Sequence, residues 1–455
     1  MNIYIIVENP KRELDSRIYL ALMLIRMGYK VYIVKKTRLF EKLDIIDPGV
    51  LFFKSFGPGY ERYVDEIKKH NHVITGIDEE GLQLYSDVTL IGNMRFSKKT
   101  IRDSKIIYTW GNDSKEIYKK AVNKSLILKN SGNPRIDLIK DTKKVYAKAA
   151  TDLKKKYGKF ILIPTQFLKA NPASGKKLIS FFKIPKNSTL SKLEKLRYNN
   201  SFKYQKISLK KYEELYSFLS KNYPEKNFII RPHPAESLSY YKKLNKKYKN
   251  IKVVADNLPI NPWILASELV ISNNCTTAIE AYFIKGKSIN YIPYKDLQSE
   301  YYLNKKLSIE SRNLKHLSKL LSKNNLNKIK INKKNLKEIK SMIHNSDKVN
   351  SCEIIGKSLL KIYKKKFSSK RNISRSKLFY NYLMFFLKSK ISQLKAFLFN
   401  RNQPEYLNQL NKKGLNKEKV QERILTLSRA NTLGGKYGVS EKYYGIFSIK
   451  QIKEF

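Results

Sequence analysis

The segment Phe228-Ile-Ile-Arg-Pro-His-Pro-Ala-Glu236 sets an imidazole between two prolines at the end of an apolar run. Proline has no backbone N–H and a fixed φ, so His233 rides on a stiff turn. A rigid imidazole at a strand's carboxyl end, beside the start of the next helix, suits hydrogen bonding to an anion. Arg231 adds a guanidinium able to clasp phosphate through two parallel bonds. Glu236 is expected to open the following helix. A histidine simply satisfied within a proline turn is the plainer alternative. In Leu269-Val-Ile-Ser-Asn-Asn-Cys-Thr-Thr-Ala-Ile-Glu-Ala281, a buried strand ends at Ser272 and small polar residues turn into a helix near Thr277. The Thr276 and Thr277 hydroxyls, with the free N–H groups of that helix start, form a phosphate cradle. Glu280 lies one turn further in, where it can accept bonds from ribose hydroxyls. The competing reading is a capping box of Thr277 and Glu280.

Positioning these motifs requires a regular frame, and the chain supplies one. Strand-like runs at Ile3–Val7, Val31–Val34, Gly49–Lys54, His72–Gly76, Val88–Ile91, Ile106–Thr109 and Ser125–Leu128 alternate with helical stretches, the first from about Leu14 to Met27. After a lysine-rich helix near Lys143–Tyr157 the alternation restarts. Strands are expected at Phe160–Pro164, Asn227–Arg231, Ile251–Val254, Leu269–Ser272 and Ser288–Ile292. Short β-branched runs alternating with helices predict βαβ units and parallel sheets. The fold class is therefore α/β, with two Rossmann-like doubly wound domains at 1–142 and 143–366. Ligand is expected in the cleft at the carboxyl ends of the strands. Residues 175–210 read as a loop or small helical insertion. Residues 367–455 read as a basic, aromatic, helical appendage.

The 455 residues carry 92 Lys+Arg against 38 Asp+Glu, a formal charge of +54, yet 42% are hydrophobic and 12% aromatic. Such a chain builds cores, which excludes a disordered basic tail. Its lysines are spread over nearly every polar helix face, without the basic stripe of a nucleic-acid binder, so no nucleic-acid partner is expected. Residues 370–396 place Leu378–Leu387 among basic residues and would meet an anionic membrane surface. That apolar stretch is about half of the roughly 20 residues a spanning helix needs. Two cysteines, Cys275 and Cys352, fit a reducing compartment. The start of the chain reads as a buried strand, not a signal peptide. A cytoplasmic location, peripheral at the inner membrane face, is the expectation.

Taken together, the two motifs resemble the donor half of GT-B glycosyltransferases and the related nucleotide-sugar 2-epimerases. More closely, residues 1–300 resemble bacterial surface carbohydrate biosynthesis proteins, relatives of the capsule and lipopolysaccharide Kdo-type transferases. The likeness rests on the order of Glu8-Asn-Pro-Lys-Arg-Glu-Leu-Asp15, Asp78-Glu-Glu-Gly81, Thr109-Trp-Gly111, Ser131-Gly-Asn-Pro-Arg-Ile-Asp137, Ile163-Pro-Thr-Gln-Phe167, Arg231-Pro-His-Pro234 and Asn274-Cys-Thr-Thr-Ala-Ile-Glu280. The resemblance implies donor binding by Arg231, His233, Glu236, Asn274, Thr276, Thr277 and Glu280. It adds Thr165 and Gln166 after the first strand of the second domain. Asn133 and Arg135 would face the donor where the chain crosses between domains, although Gly-Asn-Pro is also ordinary turn punctuation.

Catalysis would come from the first, acceptor-holding domain, where a carboxylate or histidine takes the acceptor's proton. Glu13 stands where related transferases place a base; a carboxylate favoured by the helix dipole is the alternative. Asp78, Glu79 and Glu80 are close enough for like charges to raise one pKa, or else form a solvated turn. The implied reaction is metal-independent, base-assisted displacement from a nucleotide-sugar onto a surface polysaccharide or lipopolysaccharide acceptor, with no cofactor. Epimerisation at the sugar C2, or glycerophosphate-type transfer, is the alternative on the same fold. His70, His72, His316 and His344 lack ligand-like neighbours in sequence, and no metal site is expected.

Overall fold

The computed structural model describes residues 1–81, 96–119, 126–173, 192–285, 287–296, 299–322, 335–363, 414–429 and 435–452, with helical residues 376, 379–380, 383–384, 387 and 391. The expected strand at Val88–Ile91 lies outside the described residues.

The first sheet is built on β1 (Asn2–Val7), β2 (Lys30–Lys35), β3 (Gly49–Phe53), β4 (Val73–Ile77), β5 (Ser104–Thr109) and β6 (Ile127–Asn130), all parallel, in the order 2-1-3-4-5-6. The central strands β1 and β3 are apolar because both faces are covered, whereas the edge strand β6 (Ile-Leu-Lys-Asn) is partly exposed. Along β1 the side chains alternate between two cores. Ile3, Ile5 and Val7 join the core that includes the helix Pro10–Arg26, and Tyr4 and Ile6 join the opposite one. That helix starts a turn earlier than expected, since Pro10 near its N-terminus has the φ a helix needs and no N–H to leave unpaired.

The second sheet is wholly parallel. It comprises β7 (Phe160–Pro164), β8 (Asn227–Arg231), β9 (Ile251–Val253), β10 (Leu269–Ser272), β11 (Ser288–Tyr291) and β12 (Ile309–Ser311), in the order 12-11-10-7-8-9. The winding direction reverses at β7 and β10, so the crevice where ligands settle in such sheets lies between them. Phe160 and Leu162 of β7 enter the core shared with the first domain, whereas Ile161 and Ile163 enter a core of the second domain alone. Two doubly wound domains are the expected architecture, and it is the one found.

Two boundaries differ from the sequence reading. Lys192–Asn222 is one 31-residue helix, so the C-terminal half of the expected insertion belongs to it; residues 174–191 lie outside the described residues. The stretch 367–455 is not a separate helical appendage throughout. The helix Lys417–Arg429 packs on Pro10–Arg26, and β13 (Lys436–Tyr443) and β14 (Ile446–Ile452) form a hairpin whose second strand pairs antiparallel with β2. Apolar residues drive this return: Val420, Ile424, Leu427, Phe447 and Ile449 are all buried in the shared core. The helix Ser351–Tyr363 also packs on Pro10–Arg26, so the second domain ends before residue 366.

Candidate functional site

Loops at the carboxyl ends of β1, β4, β6, β7, β8 and β10 meet around a cleft of about 730 Å³ between the two sheets. Most residues singled out in the sequence converge there. Arg12, Glu80 and Arg135 line it from the first domain, with Thr165, Gln166, Arg231, His233, Glu236, Asn274, Thr276, Thr277 and Glu280 on the second. A second cavity of about 360 Å³ continues into the first domain past Glu8, Glu13, Lys36, Lys54 and Tyr60.

The His-Pro turn is held from beneath by Glu236. This buried carboxylate does not open the next helix, which begins at Leu238. It accepts hydrogen bonds from the Thr165 hydroxyl (3.0 Å), the Phe167 N–H (2.9 Å), the His233 N–H (3.3 Å) and the Tyr241 hydroxyl. Burial outweighs these donors and pushes its pKa up to about 7. Glu236 and Thr165 thus shape the cleft wall by clamping the loop after β7 to the loop after β8. His233 Nδ1 accepts the Ala235 N–H at 3.2 Å, which leaves Nε2–H as the ring's donor. Burial, with the Arg12 charge added, holds its pKa down to about 3, so the imidazole is neutral.

Arg231 differs from the expectation of a phosphate clasp. Its guanidinium binds Asp256 (2.8 Å) and the Leu258 and Pro259 carbonyls and lies over the Trp263 ring, so those bonds fix the loop after β9. Asn274, at φ +45°, is likewise structural: its side chain donates to the Ser299 carbonyl and accepts from the Tyr301 N–H, and its backbone N–H donates to Asn290 Oδ1. Thr277 bonds to Cys275 through its hydroxyl, and Thr276 stands at the cleft surface beside the helix start. Gln166 lines the cleft, and its buried side-chain oxygen has no hydrogen-bond partner among the described residues.

Asn133 does not line the cleft. It caps the helix Pro134–Lys140 through the Arg135 N–H (2.8 Å) and exchanges two backbone bonds with Asn345. The turn before it is built for this contact. Gly132 has φ +72°, and a Cβ there would fall 1.9 Å from Asn345 Oδ1.

The four candidate carboxylates separate by environment. Glu13 accepts from the Glu8 and Asn9 N–H groups with one oxygen and pairs with Lys54 at 2.6 Å through the other. That is the helix-start role, reinforced by an ion pair. Glu8 shares Lys54 and Lys36; burial would raise its pKa, but the two ammonium groups bring it down to about 2. Asp78 is buried and accepts the Glu80 N–H (3.1 Å), and its carbonyl takes the Trp110 indole N–H at 2.6 Å. Gly81 is required by that indole, since a Cβ there would come within 2.7 Å of it. Glu79 turns inward onto Arg17, 1% exposed, at 2.7 Å. Glu80 alone of the three faces the main cleft; its side chain is 44% exposed and stands 3.4 Å from Arg12.

Arg12 borders the cleft and the second cavity beside it, yet the sequence reading passes over it as a site residue. One signal existed: a cation in a helix's first turn opposes the helix dipole and so suggests another use. Lys169 and Gln205 also line the cleft and carried no signal, because they follow no motif and lie far apart in sequence. Among the described residues no group of three or more His, Cys, Asp or Glu could hold a metal ion.

No family model matches the chain, nor does any curated protein. Among solved structures, the UDP-GlcNAc 2-epimerase from Methanocaldococcus jannaschii is 13% identical, covers 79% of this chain and 100% of its own, and superposes with a TM-score of 0.48. The wall teichoic acid polymerase TagF is 12% identical over 81% of this chain and 90% of its own, with a TM-score of 0.49. S. aureus MnaA, in a structure with UDP, is 12% identical over 82% and 99%, also at 0.49. These are likenesses of fold at low identity. The architecture rests on the chain's own strand order, and two doubly wound sheets with a cleft at their carboxyl ends are the GT-B arrangement.

Proposed function

We propose that the chain is a nucleotide-sugar enzyme, a glycosyltransferase that moves a sugar from a nucleotide-sugar donor to a surface glycan or glycolipid acceptor. The observation that carries this reading is the convergence of His233, the Thr276–Thr277 helix start and Arg12 on one cleft at the sheet's winding reversal. The neutral imidazole offers Nε2–H to a phosphate oxygen. The start of the helix Thr277–Lys285 lies beside it with its positive dipole end and Thr276 at the cleft surface, although the Ala278 and Ile279 N–H groups are already bonded to the Cys275 and Thr276 carbonyls, and Arg12 supplies positive charge from the opposite domain. The donor's diphosphate would lie between them, with the base and ribose toward the second domain.

Chemistry then falls at the first domain's edge. An acceptor hydroxyl attacking the anomeric carbon must lose a proton while the nucleoside phosphate departs with the bonding electrons. Glu80 would take that proton; in support, Glu13, Asp78 and Glu79 are engaged in structural bonds. Arg12, beside Glu80, would stabilise charge developing on the leaving phosphate.

A membrane attachment fits this reading. Phe379, Leu383, Leu387 and Ile391 follow one another at helical spacing and, with Tyr380, are 41–66% exposed. Lysines and arginines flank them in sequence, so the stripe suits an anionic lipid surface. No helix among the described residues is long and apolar enough to cross a membrane.

The test is to titrate the purified protein with CMP-, UDP- and GDP-sugars, then add candidate acceptors. Binding of one nucleotide class, abolished by His233→Ala, is expected. Donor epimerised without any acceptor present would replace the transferase reading with the epimerase one.

A further inference from the structure

The wall of the cleft that no motif announces is made by Lys169, in the loop after β7, and by the long helix Lys192–Asn222 crossing over it. The Lys169 ammonium bonds to the Ser201 hydroxyl and sits 5.0 Å from the Phe202 ring centre. Its backbone N–H donates to Gln205 Oε1 at 2.7 Å, which commits that oxygen and leaves the Gln205 amide NH₂ as a donor. Lys169, Ser201 and Gln205 all line the cleft. The loop is itself anchored, because Phe167 N–H binds Glu236 and Asn171 bonds Ser237. An ammonium and an amide donor are therefore held on a fixed loop and a long helix, facing the space beyond the His-Pro turn.

We propose that Lys169, with Gln205 as second donor, forms an oxyanion-binding subsite in the donor cleft. It would take a carboxylate on the transferred sugar or, failing that, an oxygen of the donor's diphosphate. The inference rests on the nucleotide-sugar reading above and specifies its substrate class. Burial has pushed the Lys169 pKa down to about 8. A bound oxyanion would raise it again, so ligand and charge reinforce one another. Charge-assisted bonds of this kind are the strong ones.

The experiment measures the affinity of the full chain and of Lys169→Met, Lys169→Arg and Gln205→Leu for three probes. These are UDP, UDP-glucose and UDP-glucuronate, or the matching set for whichever base binds. A loss of about 10- to 100-fold on Lys169→Met, confined to the uronate and restored by Lys169→Arg, supports the sugar carboxylate. The wild-type affinity for that probe should then also weaken above pH 8. An equal loss for all three probes, restored by Lys169→Arg, assigns the subsite to the diphosphate. Unchanged affinity for every probe overturns the subsite while the cleft assignment stands. So does a general loss that arginine does not restore, which would mark Lys169 as structural. If the wild-type chain binds no nucleotide of any base, the parent reading fails and the subsite with it.

Discussion

Arg135 and Glu280, each expected to hold the donor, hold each other: Arg135 Nε lies 3.1 Å from Glu280 Oε1, and a second guanidinium nitrogen contacts the same oxygen. One residue belongs to the first domain and the other to the helix Thr277–Lys285 of the second. The pair therefore ties the two domains together at the cleft wall. Removing one partner leaves a buried charge uncompensated. Glu280→Ala should cost about 2–4 kcal/mol, and the Arg135→Ala, Glu280→Ala double variant less than the sum of the singles. Urea denaturation of the four proteins measures the coupling. Additive losses would mean that the pair contributes nothing as a pair.

That relationship marks how far sequence reasoning reached. The alternation of apolar runs was sufficient for two α/β domains, because strands buried on both faces have no other composition. The loop motifs were sufficient to find the cleft. What the motifs could not separate was binding from bracing. Arg231 and Asn274 have the right chemistry at the right loops, but their partners Asp256, Ser299 and Tyr301 come from distant segments. The same limit hid the C-terminal hairpin, whose alternation is local while its pairing with β2 spans some four hundred residues. Nor does any local pattern join Lys169 to a helix starting more than twenty residues later.

The hairpin and its preceding helix should be indispensable. β14 covers the open edge of β2, and Arg423 binds both oxygens of Asp15 at 2.6 Å. Ending the chain at residue 366 exposes that edge together with the apolar faces of Ile424, Leu427 and Phe447's neighbours on the first domain. The shortened protein should be insoluble or lose cooperative thermal unfolding. A truncated chain that melts at the temperature of the full one would show that the end of the chain is dispensable after all.

Gly132→Ala tests the lock between Asn345 and the interdomain turn. The alanine must adopt a positive φ and find room where Asn345 Oδ1 now lies. Strain and displacement together should cost roughly 2–4 kcal/mol. Asn345→Ala in the same background should then recover part of the loss by removing the clash. A Gly132→Ala protein as stable as the wild type contradicts this packing.

His233 and Glu236 should pull stability in opposite directions as pH changes. The imidazole is held near 3, against an ordinary 6.5, so its contribution is full above pH 6.5 and is lost on acidification. The carboxyl is pushed up to about 7 from 4.5, so its contribution is present below pH 4.5 and is lost as pH rises through 7. Glu236→Gln removes only the second effect. Relative to wild type, the variant should therefore gain stability steadily between pH 4.5 and 7, by at most about 1.4 kcal/mol per pH unit. Denaturation midpoints across that range give the difference, and parallel profiles would be the contrary result.

Glu80 carries the mechanistic prediction. It lines the cleft, half-exposed beside Arg12, while Asp78 beneath it fixes the backbone through the Glu80 N–H. A group that takes the acceptor's proton acts in the transition state without holding the ground-state donor. Glu80→Gln should lower kcat by about 10²- to 10⁴-fold with donor affinity changed less than about threefold. Glu79→Gln should behave differently: it breaks the buried contact with Arg17 and should show first as lost stability. Should Glu80→Gln keep its turnover while Glu13→Gln loses it at unchanged stability, the base belongs to Glu13, and Lys54 must then release it during the reaction.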